Sequence, residues 1–268
     1  MIILQTEQLT KQFGKLIAVN HVDISVQRGE IFGLLGPNGA GKTTMLKMFT
    51  TLLSPSFGTV KISGFDIVKQ PNKVRQIIGY VPQMLSADGT LTGYENLLIF
   101  AKIYDLPAKT REKRIWELLE LMNLKDSANF LVRTYSGGMI RRLEIAQSLL
   151  HQPHILFLDE PTVGLDPIAR QTVWDRIIHL SKEYDLTIIL TTHYMEEAEN
   201  LCTHLAIMHL GKVVAQGTQK ELKKSAGDPD MSMDKVFSHY AGAEIEIGGN
   251  IHGLREISET RQTARRLG

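Results

Sequence analysis

Polar and apolar positions near the N-terminus follow the pattern of short β-strands. Segments rich in β-favouring apolar residues, bounded by turn residues, predict strands at residues 2–4, 22–26 and 60–62. The first ten residues lack the basic start and long apolar stretch of a secretory signal. The chain is therefore expected to open directly on the first strand of a domain.

Three largely apolar runs predict another kind of strand, one that is covered on both faces. They occupy residues 31–35, 155–158 and 186–190. Apolar residues at helical spacing follow these runs, at 43–53, 168–183 and 195–202. This alternation favours a parallel sheet with helical crossovers, and such sheets bind ligands beyond the carboxyl ends of their strands.

Residues 86–152 differ in character from the rest of the chain. Apolar residues recur there at helical spacing, in segments 95–104, 110–121 and 139–150. We expect a helical insertion at this point.

The basic residues of the insertion, in 109–114 and at Arg141 and Arg142, are expected on solvated helix faces. After about residue 225 the pattern weakens. One short helix is predicted from Asp230, and residues 243–268 predict a weakly structured end.

Composition narrows the classes of function. The 30 Lys and Arg residues balance 29 Asp and Glu, for a net charge of +1. Nucleic acid is not an expected partner, because binding a long polyanion needs a surplus of basic residues. The single cysteine, Cys202, indicates a reducing compartment. Apolar runs in the sequence fall well short of the roughly 20 residues that a membrane-spanning helix needs.

A glycine-rich segment follows the buried strand at 31–35. It reads Gly36-Pro37-Asn38-Gly39-Ala40-Gly41-Lys42-Thr43 and matches GxxxxGK(S/T), the phosphate-binding loop or P-loop. Glycines allow positive φ, so successive N–H groups can line one concavity, and the following helix adds its positive end. The segment predicts a polyphosphate site, with Lys42 near the β- and γ-phosphates and the Thr43 hydroxyl on Mg²⁺.

Two adjacent carboxylates, Asp159 and Glu160, follow the apolar run at 155–158. Beside a P-loop, Asp159 is suited to the metal shell and Glu160 to an attacking water, although alone the two acids could simply cap a turn. P-loops also occur in kinases, GTPases and helicases. A compact kinase or GTPase, however, needs a shorter segment between Lys42 and Asp159 than this chain has.

Further segments complete a set that occurs together in one family. They are Gln83 in Val81-Pro82-Gln83, Thr134-Tyr135-Ser136-Gly137-Gly138-Met139, Asp159-Glu160-Pro161-Thr162, Gly164-Leu165-Asp166 and Thr192-His193. Together with residues 36–44 they resemble the nucleotide-binding subunit of ATP-binding cassette (ABC) transporters, over residues 1–225. The family signature Leu-Ser-Gly-Gly-Gln has Tyr135 and Met139 at its first and last positions here. The segments around the signature and after His193 resemble the antibiotic and drug exporters.

The resemblance implies a fold. It is an α/β fold with a P-loop NTPase (RecA-like) core and parallel sheet, a small N-terminal antiparallel β subdomain and an α-helical subdomain inserted at about 86–152. Residues 1–225 would form the nucleotide-binding domain. Residues 226–268 would form a C-terminal extension with a short helix and a disordered tail.

The resemblance also assigns roles to single residues. Glu160 would orient water and accept its proton, and His193 would stabilise the transition state. The expected catalytic residues are Lys42, Gln83, Glu160 and His193, and the expected Mg²⁺ residues are Thr43, Gln83 and Asp159. The expected ATP-binding residues are Phe13, Gly36, Pro37, Asn38, Gly39, Ala40, Gly41, Lys42, Thr43, Thr44, Ser136, Gly137, Gly138 and Asp166. Phe13 would lie against adenine, or else be ordinary core, and Asp166 would communicate across a dimer as well as cap a helix.

Two partners are implied. In this family a second nucleotide-binding subunit, here an identical one, packs head to tail, so that Ser136 of one copy covers the γ-phosphate held by residues 36–44 of the other. An integral membrane permease would use the energy of hydrolysis to export a drug-like, lipid or polysaccharide substrate, with this chain at the cytoplasmic face of the inner membrane. The permease contact is expected at Met84, Leu85, Leu91 and Tyr94.

Three other functions stay open at this point. A soluble ABC ATPase acting on ribosomes or DNA would usually carry two cassettes or a long coiled coil, and this sequence has neither. A P-loop kinase would leave Ser136, Gly138 and His193 without a role. A binding module without turnover would keep the same motifs.

Overall fold

The computed structural model describes residues 1–247. Of the weakly structured end predicted over residues 243–268, residues 243–247 are instead helical, and residues 248–268 lie outside the described range. Within it the strands, in chain order, are β1 (Ile2–Phe13), β2 (Leu16–Val22), β3 (Ser25–Gln27), β4 (Ile31–Leu35), β5 (Phe57–Ile62), β6 (Phe65–Asp66), β7 (Ile78–Val81), β8 (Ile155–Asp159), β9 (Thr187–Thr192), β10 (His204–His209) and β11 (Lys212–Gly217). The helices are α1 (Lys42–Phe49), α2 (Pro71–Ile77), α3 (Gly93–Ile103), α4 (Ala108–Leu121), α5 (Gly137–Leu149), α6 (Pro167–Tyr184), α7 (Met195–Leu201), α8 (Gln219–Ser225) and α9 (Met233–Ile247).

A mostly parallel sheet forms the centre of the molecule. Its strands lie in the order β11-β10-β4-β9-β8-β7, and only β11 runs antiparallel to its neighbour. Strands β4, β8 and β9 are buried at every position, because helices or the second sheet cover both faces. The three predicted buried strands are therefore confirmed as the neighbouring strands β4, β8 and β9.

The core occupies both faces of this sheet. Side chains of β8 alternate between them, so Ile155 and Phe157 join one apolar cluster while Leu156 and Leu158 join the other. On the first face the rings of Phe49 and Phe157 pack at 6.1 Å between centroids. Helix α1, which follows the P-loop, is fixed against the sheet by this contact.

A second, antiparallel sheet is built from the N-terminal strands in the order β2-β1-β5-β6, with β3 also paired to β1. The predicted strand at 2–4 is much too short, because β1 continues through buried polar residues. The Thr6 hydroxyl donates to the carbonyl of Val22 and accepts from the N–H of Ile24, which removes the cost of burying it.

The predicted single strand at 22–26 is wrong. Strand β2 ends at Val22 and β3 begins at Ser25, with Asp23 between them. The Asp23 carboxylate accepts hydrogen bonds from the backbone N–H and the side-chain amide of Gln8. Gln8 belongs to β1, so the Asp23 side chain bonds across to another strand at the point where β2 has ended.

Helices α3, α4 and α5 lie between β7 and β8 in the chain, where the helical insertion was predicted. Thr92 and Glu95 form a reciprocal capping box at the start of α3, and Ser136 caps α5. Helix α9 begins at Met233, three residues after the predicted start, and Met233 and Val236 are buried in the main core.

The expectation that Arg141 and Arg142 lie on a solvated face is wrong. Arg141 is almost completely buried and lies 3.0 Å from Glu144 of the same helix. Arg142 is partly buried and donates to the carbonyls of Gly138 and Met122. A guanidinium has five N–H donors and can replace water at carbonyl groups that helix ends and loops leave free.

Within residues 1–247 the helices are all too short or too polar to cross a membrane.

Replacing Phe157 with alanine should lower the free energy of unfolding by roughly 3–5 kcal/mol, because the change leaves a cavity beside Phe49 in a fully buried strand. Chemical denaturation measures this. The control is Phe57→Ala, at a phenylalanine with 65% of its surface exposed, which should change stability by no more than about 0.5 kcal/mol. Equal effects of the two changes would contradict this account of the core.

Candidate nucleotide-binding site

The P-loop connects β4 to α1 and is packed tightly against two other strands. Gly39 and Gly41 have φ of 82° and 104°, in the left-handed region that favours glycine. A Cβ atom on Gly41 would lie 2.4 Å from the carbonyl oxygen of Ala18, and one on Gly36 would lie 2.4 Å from that of Met208. Gly36 and Gly41 are therefore required by the close packing of the loop as well as by its predicted role.

Lys42 is buried within the loop that it follows. Its Nζ atom donates to the carbonyl of Gly36 at 2.7 Å and to that of Pro37 at 3.1 Å, and it lies 3.6 Å from Oε1 of Glu160. The ammonium group is thus held at the mouth of the P-loop by oxygen atoms. Phosphate oxygens could take over these contacts without a change in the position of the chain.

Asp159 contacts the first turn of α1, the helix that follows the P-loop. Its Oδ1 atom accepts from the Thr43 hydroxyl at 3.1 Å and from the Thr191 hydroxyl at 2.6 Å. Burial raises the pKa of Asp159 above its ordinary value, and the two threonine hydrogen bonds act in the opposite direction. A carboxylate beside a hydroxyl supplies oxygen ligands, which small hard cations such as Mg²⁺ prefer, so the predicted pair Thr43 and Asp159 fits that ion.

Glu160 is the meeting point of the predicted catalytic residues. Gln83 donates from Nε2 to its Oε2 at 2.9 Å, and Nδ1 of His193 lies 3.2 Å from its Oε1, the same atom that faces Lys42. The Glu160 backbone has φ of 49°, while its N–H donates to the Thr191 hydroxyl at 2.9 Å. A left-handed residue other than glycine is strained, and such strain is concentrated at functional sites.

The topology explains why these residues meet. Gln83 follows β7, Glu160 follows β8 and His193 follows β9, and these three strands are neighbours in the parallel sheet. The carboxyl ends of parallel neighbours share one edge. The amide of Gln83 faces Glu160 in this structure, while its predicted place on Mg²⁺ stays a prediction.

Phe13 lies at the end of the hairpin formed by β1 and β2, paired with Leu16. It is 41% exposed and therefore is not ordinary core. The Lys11 ammonium lies 5.1 Å from its ring centroid. The same hairpin passes against the P-loop, since the carbonyl of Ala18 on β2 lies beside Gly41.

The predicted signature residues form a second group. Ser136 caps α5 by accepting from the N–H of Met139 at 3.3 Å, and Asp166 caps α6 by accepting from the N–H groups of Ile168 and Ala169. A Cβ on Gly138 would lie 2.8 Å from that of Ala169, so the two helix starts touch. They line a cleft of about 290 Å³. Asp166 thus has the capping role, and its role in a dimer stays a prediction.

Tyr135, which stands at the first signature position, is buried and has a structural function. Its hydroxyl donates to the carbonyl of Ser127 at 2.7 Å. The phenol therefore ties the residue before Ser136 to the loop that precedes it.

Sequence reasoning missed three residues that shape the site. Thr191 bonds to Asp159 and to the Glu160 backbone. Glu197, completely buried on α7, accepts from the Thr162 hydroxyl at 2.6 Å and from the Trp174 ring N–H at 3.0 Å. Arg141 donates to the carbonyl of Gln83. A polar residue at an apolar position of a helix or strand was the only signal for each of them.

Comparison with known proteins agrees with this geometry. A family model described as ABC transporter matches residues 19–163 of the chain. The chain belongs to the ABC transporter family. A doxorubicin resistance ATP-binding protein of Mycobacterium tuberculosis is 44% identical over 80% of this chain, which spans 65% of that relative's length. A Nod factor export ATP-binding protein of Ralstonia nicotianae is 46% identical, over 82% of this chain and 68% of that protein.

A solved structure of another family member extends the comparison. It is a dimeric ATP-binding cassette in a post-hydrolysis state bound to ADP and Pi, with a TM-score of 0.72 and 26% identity over 81% of this chain and 98% of that one. The likeness to this ABC cassette confirms the predicted fold class.

Replacing Gly41 with alanine should both strain the loop and push it away from Ala18, whereas Gly64→Ala introduces the same left-handed strain in open space. Each change should cost roughly 1–3 kcal/mol of stability for the backbone conformation. Only Gly41→Ala should weaken binding of a fluorescent ATP analogue, by roughly tenfold or more, since loop N–H contacts to phosphate are lost. Equal nucleotide affinity of the two variants would contradict the assignment of the loop.

Proposed function

We propose that this chain binds and hydrolyses ATP and thereby energises export through a separate membrane permease. The observation that carries the proposal is the convergence of Lys42, Gln83 and His193 on the single carboxylate of Glu160. Beside it, the Thr43 hydroxyl donates to Asp159 at 3.1 Å, and this pair of oxygen groups would hold a cation. A water-activating carboxylate next to a polyphosphate loop is the arrangement that phosphoanhydride hydrolysis requires.

ATP would be bound by residues 36–44, with its adenine ring on the exposed face of Phe13. The Nζ atom of Lys42 would exchange the carbonyls of Gly36 and Pro37 for oxygens of the β- and γ-phosphates. Thr43 and Asp159 would hold Mg²⁺, with Gln83 as a further contact, and the ion would neutralise phosphate charge. The backbone N–H groups at the start of α1 add the positive end of the helix.

Glu160 would act on the attacking water. One carboxylate oxygen would accept the proton as the water oxygen bonds to the γ-phosphorus and the bond to the β-phosphate oxygen breaks, giving ADP and phosphate. Gln83 would position the carboxylate through its amide N–H. His193, with a partly exposed ring, would donate a hydrogen bond to the γ-phosphate without bringing a permanent charge.

The second half of the site would come from another copy of the chain. Ser136 uses an oxygen lone pair to cap α5, so its O–H remains able to donate to a phosphate oxygen. The N-terminus of α5 adds backbone donors and a positive dipole end. The dimeric cassette among the similar structures supports a pair of chains. In the proposed pair the two copies would pack head to tail, so that Ser136, Gly137 and Gly138 cover the nucleotide of the partner.

Glu160→Gln should keep ATP affinity within about twofold of native but lower kcat by roughly 100-fold or more, since the amide cannot take the proton. The stalled chain should also accumulate as a dimer with Mg-ATP, measured by light scattering. Glu183→Gln, at an exposed glutamate near the end of α6, is the matched control and should leave both properties unchanged. Steady-state hydrolysis by Glu160→Gln at the native rate would remove Glu160 from the proposed role.

The permease contact is proposed on the loop that follows Gln83. Met84 is 82% exposed and Leu85 is 48% exposed, whereas Leu91 and Tyr94 are partly buried, with Tyr94 packed on Trp116. Exposed apolar side chains at a loop apex are suited to contact with another protein.

The names of the two relatives mention doxorubicin resistance and Nod factor export, and we propose a drug-like, lipid or polysaccharide cargo. The chain would then act at the cytoplasmic face of the inner membrane.

A photo-crosslinking amino acid at Leu85 should capture an integral membrane protein in cells that express the full chain. The control is the same amino acid at Val68, which is also exposed but lies in the segment between β6 and α2. Mass spectrometry identifies the captured protein by its membrane-spanning helices. Capture of ribosomal proteins from Leu85, with no membrane protein, would favour the soluble ABC ATPase instead.

A further inference from the structure

The loop formed by residues 82–87 is held at both ends from helix α5. Arg141 donates to the carbonyl of Pro82 at 2.6 Å and to that of Gln83 at 2.7 Å. Three residues further along the same helix, Glu144 accepts from the backbone N–H of Ser86, and from its hydroxyl at 3.2 Å. The two side chains also bond to each other at 3.0 Å.

This ion pair is deeply buried, since both side chains are 2% exposed. Burial excludes water from both groups, and this loss of hydration lowers the pKa of Arg141 and raises the pKa of Glu144. A buried ion pair adds little stability compared with apolar residues of similar volume. The guanidinium of Arg141 is a rigid fork that binds two carbonyl groups at once, which an apolar side chain cannot do.

The loop connects parts of the molecule that are expected to act together. At one end, Gln83 donates to Glu160 at 2.9 Å. In the middle of the loop, Met84 and Leu85 are exposed, where the permease contact is proposed. On the other side, α5 begins one residue after Ser136, so Arg141 lies on the second turn of the helix that carries the signature.

We propose that Arg141 and Glu144 are positioning residues that clamp residues 82–87 to α5, so that the amide of Gln83 is held on Glu160. The inference rests on the proposed ATP hydrolysis. Because the clamp is on the backbone of the loop, a displacement of α5 moves Gln83 with it. The clamp is therefore the connection through which the helical insertion controls the orientation of the catalytic carboxylate.

The decisive variant replaces both charges at once, Arg141→Met with Glu144→Leu. Removing the pair together leaves no unpaired charge in the core, so the fold is expected to survive. In the full chain, kcat should fall roughly tenfold or more, because Gln83 is no longer positioned. KM for ATP should stay within about threefold, since the P-loop is unchanged.

The matched control is Arg114→Met with Glu117→Leu. These residues have the same spacing on α4 and form an ion pair at 3.6 Å, but Glu117 is exposed and Arg114 donates to the carbonyl of Leu149, away from the loop. The control should keep the native kcat and KM.

A spin label reports on the loop itself. It is attached at Leu85→Cys, and the native thiol does not compete because burial raises the pKa of Cys202 well above its ordinary value. The label should become more mobile in the Arg141→Met, Glu144→Leu background. A label at Val68→Cys should be unaffected. If Arg141 and Glu144 only stabilised the fold and did not hold the loop, the spectra of the labels at Leu85→Cys and Val68→Cys would both stay unchanged.

Arg141→Lys is the second variant, and it decides the question if the double variant does not fold. It keeps a charge beside Glu144 but loses the fork that joins two carbonyls, so the same fall in kcat and the same gain in mobility are expected. A folded variant with native kcat, or with a lower kcat and an unchanged label at Leu85→Cys, would overturn the proposal. If the native chain itself hydrolyses no ATP, the proposed function fails, and an unchanged label would still overturn the clamp.

Discussion

A buried carboxylate must be neutralised or hydrogen-bonded, and the rest of this site is arranged around that requirement at Glu160. The groups that face it come from three separate segments: Lys42 from the P-loop, Gln83 after β7 and His193 after β9. They meet because the strands that precede them, β4, β7 and β9, and β8 before Glu160 are neighbours in one parallel sheet, in the order β4-β9-β8-β7. The left-handed backbone of Glu160 is tolerated because Thr191 and the neighbouring strand fix the same residue.

Buried polar contacts also determine how the parts of the chain are joined. Glu197 connects Thr162, which follows the catalytic strand, to Trp174 on α6, while Arg141 and Glu144 connect α5 to the loop after β7. Apolar packing at these positions would tolerate small sliding movements. Directional hydrogen bonds between buried groups fix a register instead, so polar joints here contribute geometric specificity more than stability.

The sequence predicted the fold where the buried positions are mostly apolar, because polarity then indicates which side chains are buried. Leu, Ile and Phe dominate the segments that became β4, β8 and β9, and the glycines of the P-loop occur at a spacing typical of phosphate loops. Strand β1 was underestimated because Thr6 is polar and nevertheless buried. The clamp at Arg141 was missed for the same reason, since a single sequence does not show where the partners of a buried polar group lie.

The two groups of residues proposed to contact the nucleotide differ in charge, and this difference bears on how a dimer would be controlled. The P-loop side holds Lys42, whose ammonium is already compensated by Gly36, Pro37 and Glu160, so ATP must replace existing contacts when it binds. The signature side offers the neutral Ser136 hydroxyl and backbone N–H groups. In the proposed dimer those donors would have the γ-phosphate as their acceptor. A closed state that depends on that one group is favoured only while it is present, so hydrolysis, which detaches it, would shift the equilibrium towards the open state.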